Sequence, residues 1–129
     1  MGTRYLVDTN IAVYLLNGVL PANAQAFLRP ILDAACNISI VCKIELLGWQ
    51  FPTDEDELKA MEFVSDSSIL PLTDAVAEKA IEIRKLKKLK LGDAIIAATA
   101  LLHQMTLLTR NEDDFSNLPG LMVVNPFNQ

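Results

Sequence analysis

Short, continuous apolar runs alternate along the chain with longer segments in which apolar residues recur every three or four positions. The short runs predict buried strands at residues 5–7, 38–41, 69–72, 106–109 and 121–124. The longer segments predict helices at residues 11–16, 22–35, 43–49, 54–64, 74–89 and 94–102, with a short turn or helix at 113–118. Strands that are apolar throughout are covered on both faces. The alternation is therefore typical of an α/β fold with a mainly parallel sheet.

Several positions in the predicted helices have specific consequences. Pro30 should end or kink the second helix, because proline lacks the backbone N–H. Leu86 and Leu89 continue the apolar face that begins at Val76, so both are expected to face the core. Trp49 is expected to pack in the core or in a contact between subunits.

The composition fits one compact domain spanning residues 1–129, since 51% of the residues are hydrophobic and the mean hydropathy is +0.28. A domain of this size buries enough surface to fold without a metal or a disulfide. The longest apolar stretches, residues 11–16 and 94–102, are shorter than the ~20 residues of a membrane span. The chain does not open with the pattern of a secretory signal. We therefore expect a cytoplasmic protein without membrane contact.

The two cysteines, Cys36 and Cys42, are expected to be free thiols. They flank residues 37–41, and a strand there would hold their Cα atoms beyond the ~7 Å limit for a disulfide. A metal site on this pair has little support, because the C-x-x-C spacing is missing and the only histidine, His103, is distant.

The charge balance of 11 basic and 16 acidic residues gives −5, which argues against a protein that binds nucleic acid by bulk charge alone. Five of the basic residues nevertheless lie within residues 84–90, shortly before Asp93. This run is either the solvated face of a helix or a contact with an RNA backbone that offsets negative charge near Asp93.

Acidic residues stand where a site would form in a parallel sheet. Asp8 ends the first strand, Glu45 lies in the first turn of the helix after the second, Asp93 begins a buried helix, and Asp113 and Asp114 follow the fourth strand. Because the carboxyl ends of parallel strands meet at one edge, we expect these side chains to gather there. Carboxylates ~6 Å apart repel by roughly 2–3 kcal/mol per pair, so such a cluster requires cations. Ligands that are all oxygens favour Mg²⁺ or Mn²⁺, and such a site suits phosphodiester hydrolysis.

Each acidic residue also has a purely structural interpretation. Asp8 can belong to a polar turn, Asp93 can be a helix N-cap, and Asp113 or Asp114 can begin a surface turn. Glu45 is harder to explain in this way, because it stands within an apolar helix. The coincidence of four such positions at the expected edge favours a site.

Six segments stand in a specific order and spacing along the chain. They are Leu6-Val-Asp-Thr-Asn-Ile, Glu45 in its apolar helix, Leu91-Gly-Asp-Ala-Ile-Ile-Ala-Ala-Thr-Ala, Leu108-Thr-Arg-Asn-Glu-Asp-Asp-Phe, Gly120-Leu and Asn125-Pro-Phe. In the order and spacing of these segments, the chain resembles the PIN-domain nucleases, and most closely the VapC toxins of toxin–antitoxin pairs. The resemblance covers essentially the whole chain.

The resemblance implies a three-layer α/β/α sandwich with a central sheet of about five short strands. It also implies an Mg²⁺- or Mn²⁺-dependent endoribonuclease that acts on RNA and is held silent by a cognate antitoxin protein. Contact with operator DNA would come only through the antitoxin. The toxins of this family are commonly homodimers, and their antitoxins fill an exposed apolar groove that the sequence does not locate.

Carried over by position, Asp8, Glu45 and Asp93 match the acidic metal ligands of the family. The fourth ligand departs from the common pattern. Many relatives have an acidic residue where this chain has Asn111, whereas others use the aspartate before the phenylalanine, here Asp114.

The polar residues Asn10, Thr109 and Asn111 are then expected to orient ligands or waters. Gly92, before the third aspartate, is expected to affect entry into the helix more than chemistry.

Two other functions compete with the nuclease. The first is a PIN-fold binding module with impaired chemistry that acts in complex with an antitoxin on operator DNA, and the absence of an acid at Asn111 supports it. The second is phosphoryl transfer through an aspartyl nucleophile. That chemistry would normally need a second aspartate two residues after Asp8, where Asn10 stands.

Overall fold

The computed structural model describes residues 2–129, in which five short strands alternate with helices. The strands are β1 Tyr5–Val7, β2 Asn37–Ser39, β3 Ser68–Leu70, β4 Thr106–Leu108 and β5 Val123–Val124. The helices are α1 Thr9–Asn17, α2 Ala22–Ala34, α3 Ile40–Leu47, α4 Asp54–Ser65, α5 Asp74–Leu86, α6 Leu91–Leu102 and α7 Glu112–Phe115, followed by a 3₁₀ helix at Pro126–Asn128.

All of the strand pairs are parallel, which confirms the predicted α/β class. β4 lies between β1 and β5, and β2 pairs with β3. The Asn37 side-chain amide donates a 3.0 Å hydrogen bond to the Tyr5 carbonyl, which joins β2 to β1. The carboxyl ends of β1, β2 and β4 therefore lie along one edge of the molecule.

The core is divided in two by the sheet, as strand geometry requires. Leu6 and Leu107 pack on one side with α5 and α6. Their neighbours Val7 and Leu108 pack on the other side with α1, α2 and α3. Since successive side chains of a strand point to opposite faces, the result is the predicted three-layer sandwich.

The second strand is shorter than predicted, because Ile40 and Val41 already belong to α3. The Ser39 hydroxyl accepts a hydrogen bond from the Cys42 N–H at 3.2 Å and so caps the helix at its N-terminus. The helix therefore begins directly at the end of the strand. Cys36 and Cys42 are free thiols, as expected, and burial raises the pKa of Cys42 to about 12.

The expectation for Leu86 is wrong, and of the two outcomes predicted for Pro30, an end of the helix or a kink, the end does not occur. Leu86 is 67% exposed, because α5 ends there and only Leu89 of the following loop returns to the core. Pro30 does not end α2, which continues to Ala34. Both Pro30 and Ala26, whose carbonyl loses its helical partner, are exposed, so water can satisfy that carbonyl.

Trp49 does not pack in the core. Its side chain is 68% exposed, just after the end of α3. Among residues 2–129, no single helix has the length and apolar character to cross a membrane; only α1 and α2 together reach that length, with a bend of 112° between them.

Candidate functional site

Asp8 is a buried carboxylate at the carboxyl end of β1, with only 3% of its surface exposed. Its Oδ1 accepts the Thr9 N–H at 2.9 Å, and its Oδ2 accepts the Thr109 hydroxyl at 2.7 Å. Thr109 directly follows β4, the strand paired with β1, and it is fully buried. The parallel pairing thus places an acid and its hydrogen-bond donor side by side.

The pKa of Asp8 is raised to about 6. The largest cause is burial, which disfavours the charged form, and the negative charges of Asp93 and Glu45 add to it. The hydrogen bonds from Thr109 and Thr9 act in the opposite direction. Asp8 is therefore a carboxylate whose ionised form is destabilised by its surroundings, and a cation would relieve this.

Glu45 lies on α3 and is exposed, yet its carboxylate is held in place. Its Oε1 accepts the Thr9 hydroxyl at 2.6 Å. Its Oε2 lies 3.6 Å from the point where a Cβ at Gly92 would stand, and Val41 Cγ1 lies 3.3 Å from the same point. The missing side chain of Gly92 therefore leaves the space that the Glu45 carboxylate approaches. Gly92 thus lies next to a candidate ligand of the site, in addition to its predicted role in entry into the helix.

Asp93 is the third residue of α6 and is half-buried. Burial raises its pKa, followed by the charges of Asp114 and Glu45, while Lys90 lowers it. The N-cap position is occupied by Lys90, which makes no side-chain capping bond, so the interpretation of Asp93 as an N-cap is wrong. The aspartate lies instead in the first turn of the helix.

Asp113 and Asp114 belong to the one-turn helix α7, and both are exposed. The helix is anchored by the buried Phe115, and the Asn111 N–H before it donates to the Thr109 hydroxyl at 3.0 Å. Only Asp114 contributes to the raised pKa of Asp93. Of the two, only Asp114 therefore acts on the charge of Asp93.

The structure brings the predicted acids to one edge, where the charges of Asp8, Glu45 and Asp93 interact and Asp114 acts on Asp93. Within the described residues, no three acidic, histidine or cysteine side chains are drawn together into a ready-made cation site. The donors nevertheless fit a hard divalent cation, because they are all carboxylate oxygens. Bound positive charge would also offset the repulsion that raises the pKa values of Asp8 and Asp93.

The polar residues differ in how they relate to this cluster. Thr109 contacts Asp8 directly, and Asn111 contacts Thr109 through its backbone. Asn10 is exposed on the first turn of α1. Its neighbour Thr9, which sequence reasoning missed, bonds to both Asp8 and Glu45. The only available signal was its position directly after Asp8.

An apolar groove of about 320 Å³ opens beside the acidic cluster, and Glu45 is one of its lining residues. Trp49 and Phe51 line it too, together with Val13 and Leu16 of α1. Asp56 and Lys59 of α4 contribute charged side chains to the lining. The groove therefore joins an apolar surface to the negative charge of the site.

The chain is similar to known proteins along nearly all of its length. Residues 5–121 match the PIN domain family. Ribonuclease VapC10 of Mycobacterium tuberculosis is 28% identical over 111 residues, which cover 82% of this chain and 81% of that protein.

Solved structures have the same fold. A chain of a toxin-antitoxin complex from Klebsiella pneumoniae is 33% identical, with a TM-score of 0.75 over 95% of this chain and 97% of that chain. A chain of VapBC2 from Rickettsia felis, bound to a DNA fragment from its promoter, has a TM-score of 0.81 at 24% identity over 95% of this chain and 98% of that chain. These matches extend over nearly the whole chain and agree with the observed fold, and the chain belongs to the PIN domain family.

Proposed function

We propose that this chain is a metal-dependent endoribonuclease and the toxin of a type II toxin–antitoxin pair. The observation that carries the proposal is the Asp8 carboxylate, which Thr109 holds at the sheet edge and whose pKa is raised by burial and by the charges of Asp93 and Glu45. The name of the similar protein VapC10 as a ribonuclease supports RNA as the substrate.

Asp8, Glu45, Asp93 and Asp114 would hold Mg²⁺ or Mn²⁺. Such ions make an attacking water more acidic and stabilise charge on the attacking and leaving oxygens of a phosphodiester. The protein contributes fixed ligands: Thr109 holds the Asp8 carboxylate, and Thr9 holds that of Glu45. Because neither acid must reorganise during the reaction, the site is prepared for charge that develops on the phosphate.

The basic residues before α6 supply a surface for the RNA backbone. Arg84, Lys85, Lys88 and Lys90 are exposed, and Lys90 is close enough to Asp93 to lower its pKa. Phosphates bound by these side chains would approach the acidic cluster in spite of its negative charge.

The apolar groove beside Glu45 would receive a segment of the cognate antitoxin. Complexes such as the one from Klebsiella pneumoniae support an antitoxin partner, and the Rickettsia felis complex supports contact with operator DNA through that partner. The apolar wall and the acidic residues Glu45 and Asp56 favour an amphipathic segment that carries a basic side chain. We expect this pair to act in the cytoplasm, with the toxin as a homodimer.

The direct test is cleavage of a panel of defined tRNA, ribosomal and messenger RNA fragments by the purified chain in Mg²⁺, in Mn²⁺ and in EDTA. We expect the wild-type chain to cut RNA at defined positions in either metal and not in EDTA. We expect no cleavage by Asp93→Asn when this variant is shown to be as fully folded as the wild type. Cleavage that persists in EDTA or in Asp93→Asn would contradict the assignment.

Two observations favour the alternative of a binding module with impaired chemistry. Position 111 offers an amide where many relatives have an acid, and no compact set of three ligands is formed within the described residues. In that case the wild-type chain would bind its antitoxin but cut no RNA in the panel with either metal.

A further inference from the structure

The Lys87 ammonium bridges two parts of the chain that carry acids of the candidate site. Its Nζ donates to the Asp113 carbonyl at 2.5 Å and to the Ser116 carbonyl at 3.0 Å. The Ser116 hydroxyl lies 3.5 Å from the same nitrogen and donates to the Asp113 carbonyl at 3.0 Å. Lys87 itself caps the C-terminus of α5, in the loop that leads into α6. One side chain thus links the loop before α6, the helix of Asp93, to the C-terminal end of α7, the helix of Asp114.

These contacts stabilise the C-terminal end of α7. The last carbonyls of a helix have no partner within the helix, and a cation is favourable at that end. A helix of four residues is also too short to be stable by itself. Asp114 is in addition repelled by Asp93, whose pKa it raises. The turn therefore needs anchors. These are the buried Phe115, the Glu112 carboxylate, which accepts hydrogen bonds from the Asn125 and Asn128 side-chain amides, and, at the C-terminal end, the Lys87 ammonium.

Lys87 differs in this respect from the rest of the basic run. Lys87 is half-buried, whereas its charged neighbours Arg84, Lys85, Lys88 and Lys90 are exposed. The Lys87 ammonium donates its hydrogen bonds to backbone carbonyls of the chain itself. A lysine that binds RNA would instead have its N–H groups free to donate to phosphate.

We propose that Lys87 is a positioning residue that holds Asp114 beside Asp93, so that the fourth acid can share a divalent cation with the other three. This inference rests on the proposed function and adds a residue that positions one of the metal ligands. It also divides the basic run into Lys87, which binds within the chain, and the exposed basic residues, which are free to bind RNA.

The experiment measures Mn²⁺ binding by the EPR signal of the free ion, for the wild type, Lys87→Met and the matched control Lys88→Met. Both variants lose one positive charge near an acidic cluster, and this loss alone would leave Mn²⁺ binding unchanged or tighten it. Loss of positioning has the opposite sign. We therefore expect Lys87→Met to weaken the binding of at least one Mn²⁺ by about tenfold, and Lys88→Met to weaken none.

Two further variants keep the result interpretable. Lys87→Arg retains donors and positive charge, and should restore part of the affinity. In the Asp114→Asn background, Lys87→Met should cause little further loss, because the acid that it positions is already neutral. If Lys87→Met fails to fold, Lys87→Gln, which removes the ammonium and shortens the side chain, replaces it in the same comparison.

The role of Lys87 would be overturned if a folded Lys87→Met, or Lys87→Gln in its place, bound Mn²⁺ as tightly as Lys88→Met. It would also be overturned if the Lys87 variant had its full effect in the Asp114→Asn background. A wild-type chain that binds no Mn²⁺ would instead refute the proposed function. The two failures are therefore distinguishable.

Discussion

The Thr109 hydroxyl donates a 2.7 Å hydrogen bond to Asp8 Oδ2, although 101 positions separate the two residues along the chain. The bond exists because β1 and β4 are adjacent parallel strands that end at the same edge. It is the main interaction that opposes the rise in the pKa of Asp8 caused by burial. Thr109 therefore favours the charged form of this buried acid.

Replacing Thr109 by valine should destabilise the protein and raise the pKa of Asp8 further above about 6. Valine keeps the shape of threonine but leaves a buried carboxylate without its donor, which costs about 1.5–3 kcal/mol at pH 7.5. Urea unfolding at pH 7.5 and at pH 4.5 measures the effect, which should be smaller at the lower pH. Thr109→Ser retains the hydroxyl and should lose much less. An equal or larger loss in Thr109→Ser would mean that the hydrogen bond contributes no more to stability than the methyl group, and would contradict this prediction.

The raised pKa of Asp8 makes the stability of the metal-free protein depend on pH. A carboxyl group in the unfolded chain titrates near ~3.9, whereas that of folded Asp8 titrates at about 6. Between these values the folded state retains a proton that the unfolded state has lost. The contribution of Asp8 to the free energy of unfolding should therefore fall by about 3 kcal/mol as the pH rises through this window. Asp93, whose pKa is also raised, acts in the same direction.

Urea unfolding in EDTA between pH 4 and pH 7.5 tests this dependence. Asp8→Asn has no charge to bury, so its free energy of unfolding should change less with pH and exceed that of the wild type at pH 7.5. Parallel curves for the two proteins would contradict the proposed environment of Asp8.

A large side chain at Gly92 should disturb the site without removing any acid. A Cβ there already meets Val41 Cγ1 at 3.3 Å and Glu45 Oε2 at 3.6 Å, so the longer side chain of Gly92→Leu would displace Glu45. We expect RNA cleavage to fall at least tenfold, as for groups that support a metal ligand. Gly92→Ala, which needs only a small shift of Val41, should retain most of the rate. Cleavage rates at saturating Mn²⁺ compare the variants, and wild-type activity of Gly92→Leu would refute this placement of Glu45.

The end of β1 at Asp8 and the apolar helix that carries Asp93 could be predicted from the sequence because they depend on local pattern. Asp8 closes an apolar run, and Asp93 begins a segment that is apolar nearly all round. The hydroxyl of Thr9 could not be assigned to Glu45 in the same way, since that contact depends on how α3 packs beside α1. Periodicity also placed Leu86 on the apolar face, although α5 ends at this residue and leaves it exposed.

Trp49 should report the docking of the antitoxin in the apolar groove. It is the only tryptophan of the chain, is 68% exposed and lines the groove. Burial by a partner segment should shift its emission to shorter wavelength, and Trp49→Ala should weaken the complex by at least 1 kcal/mol, as for a buried aromatic anchor. The measurement titrates the cognate antitoxin into the purified chain. Met122→Ala, at an exposed residue that does not line the groove, is the control. Unchanged emission in a stable complex would place the antitoxin elsewhere.

The central claim is that Asp8 is held at the sheet edge to bind a divalent cation, and isothermal titration of Mn²⁺ into the wild type and Asp8→Asn at pH 7.5 tests it most directly. The wild type should bind Mn²⁺ and gain stability, by about 2.7 kcal/mol when the free ion is 100 times its dissociation constant. Asp8→Asn should be folded and more stable without metal, yet bind Mn²⁺ at least tenfold more weakly. Equal Mn²⁺ binding by the two folded proteins would contradict the account.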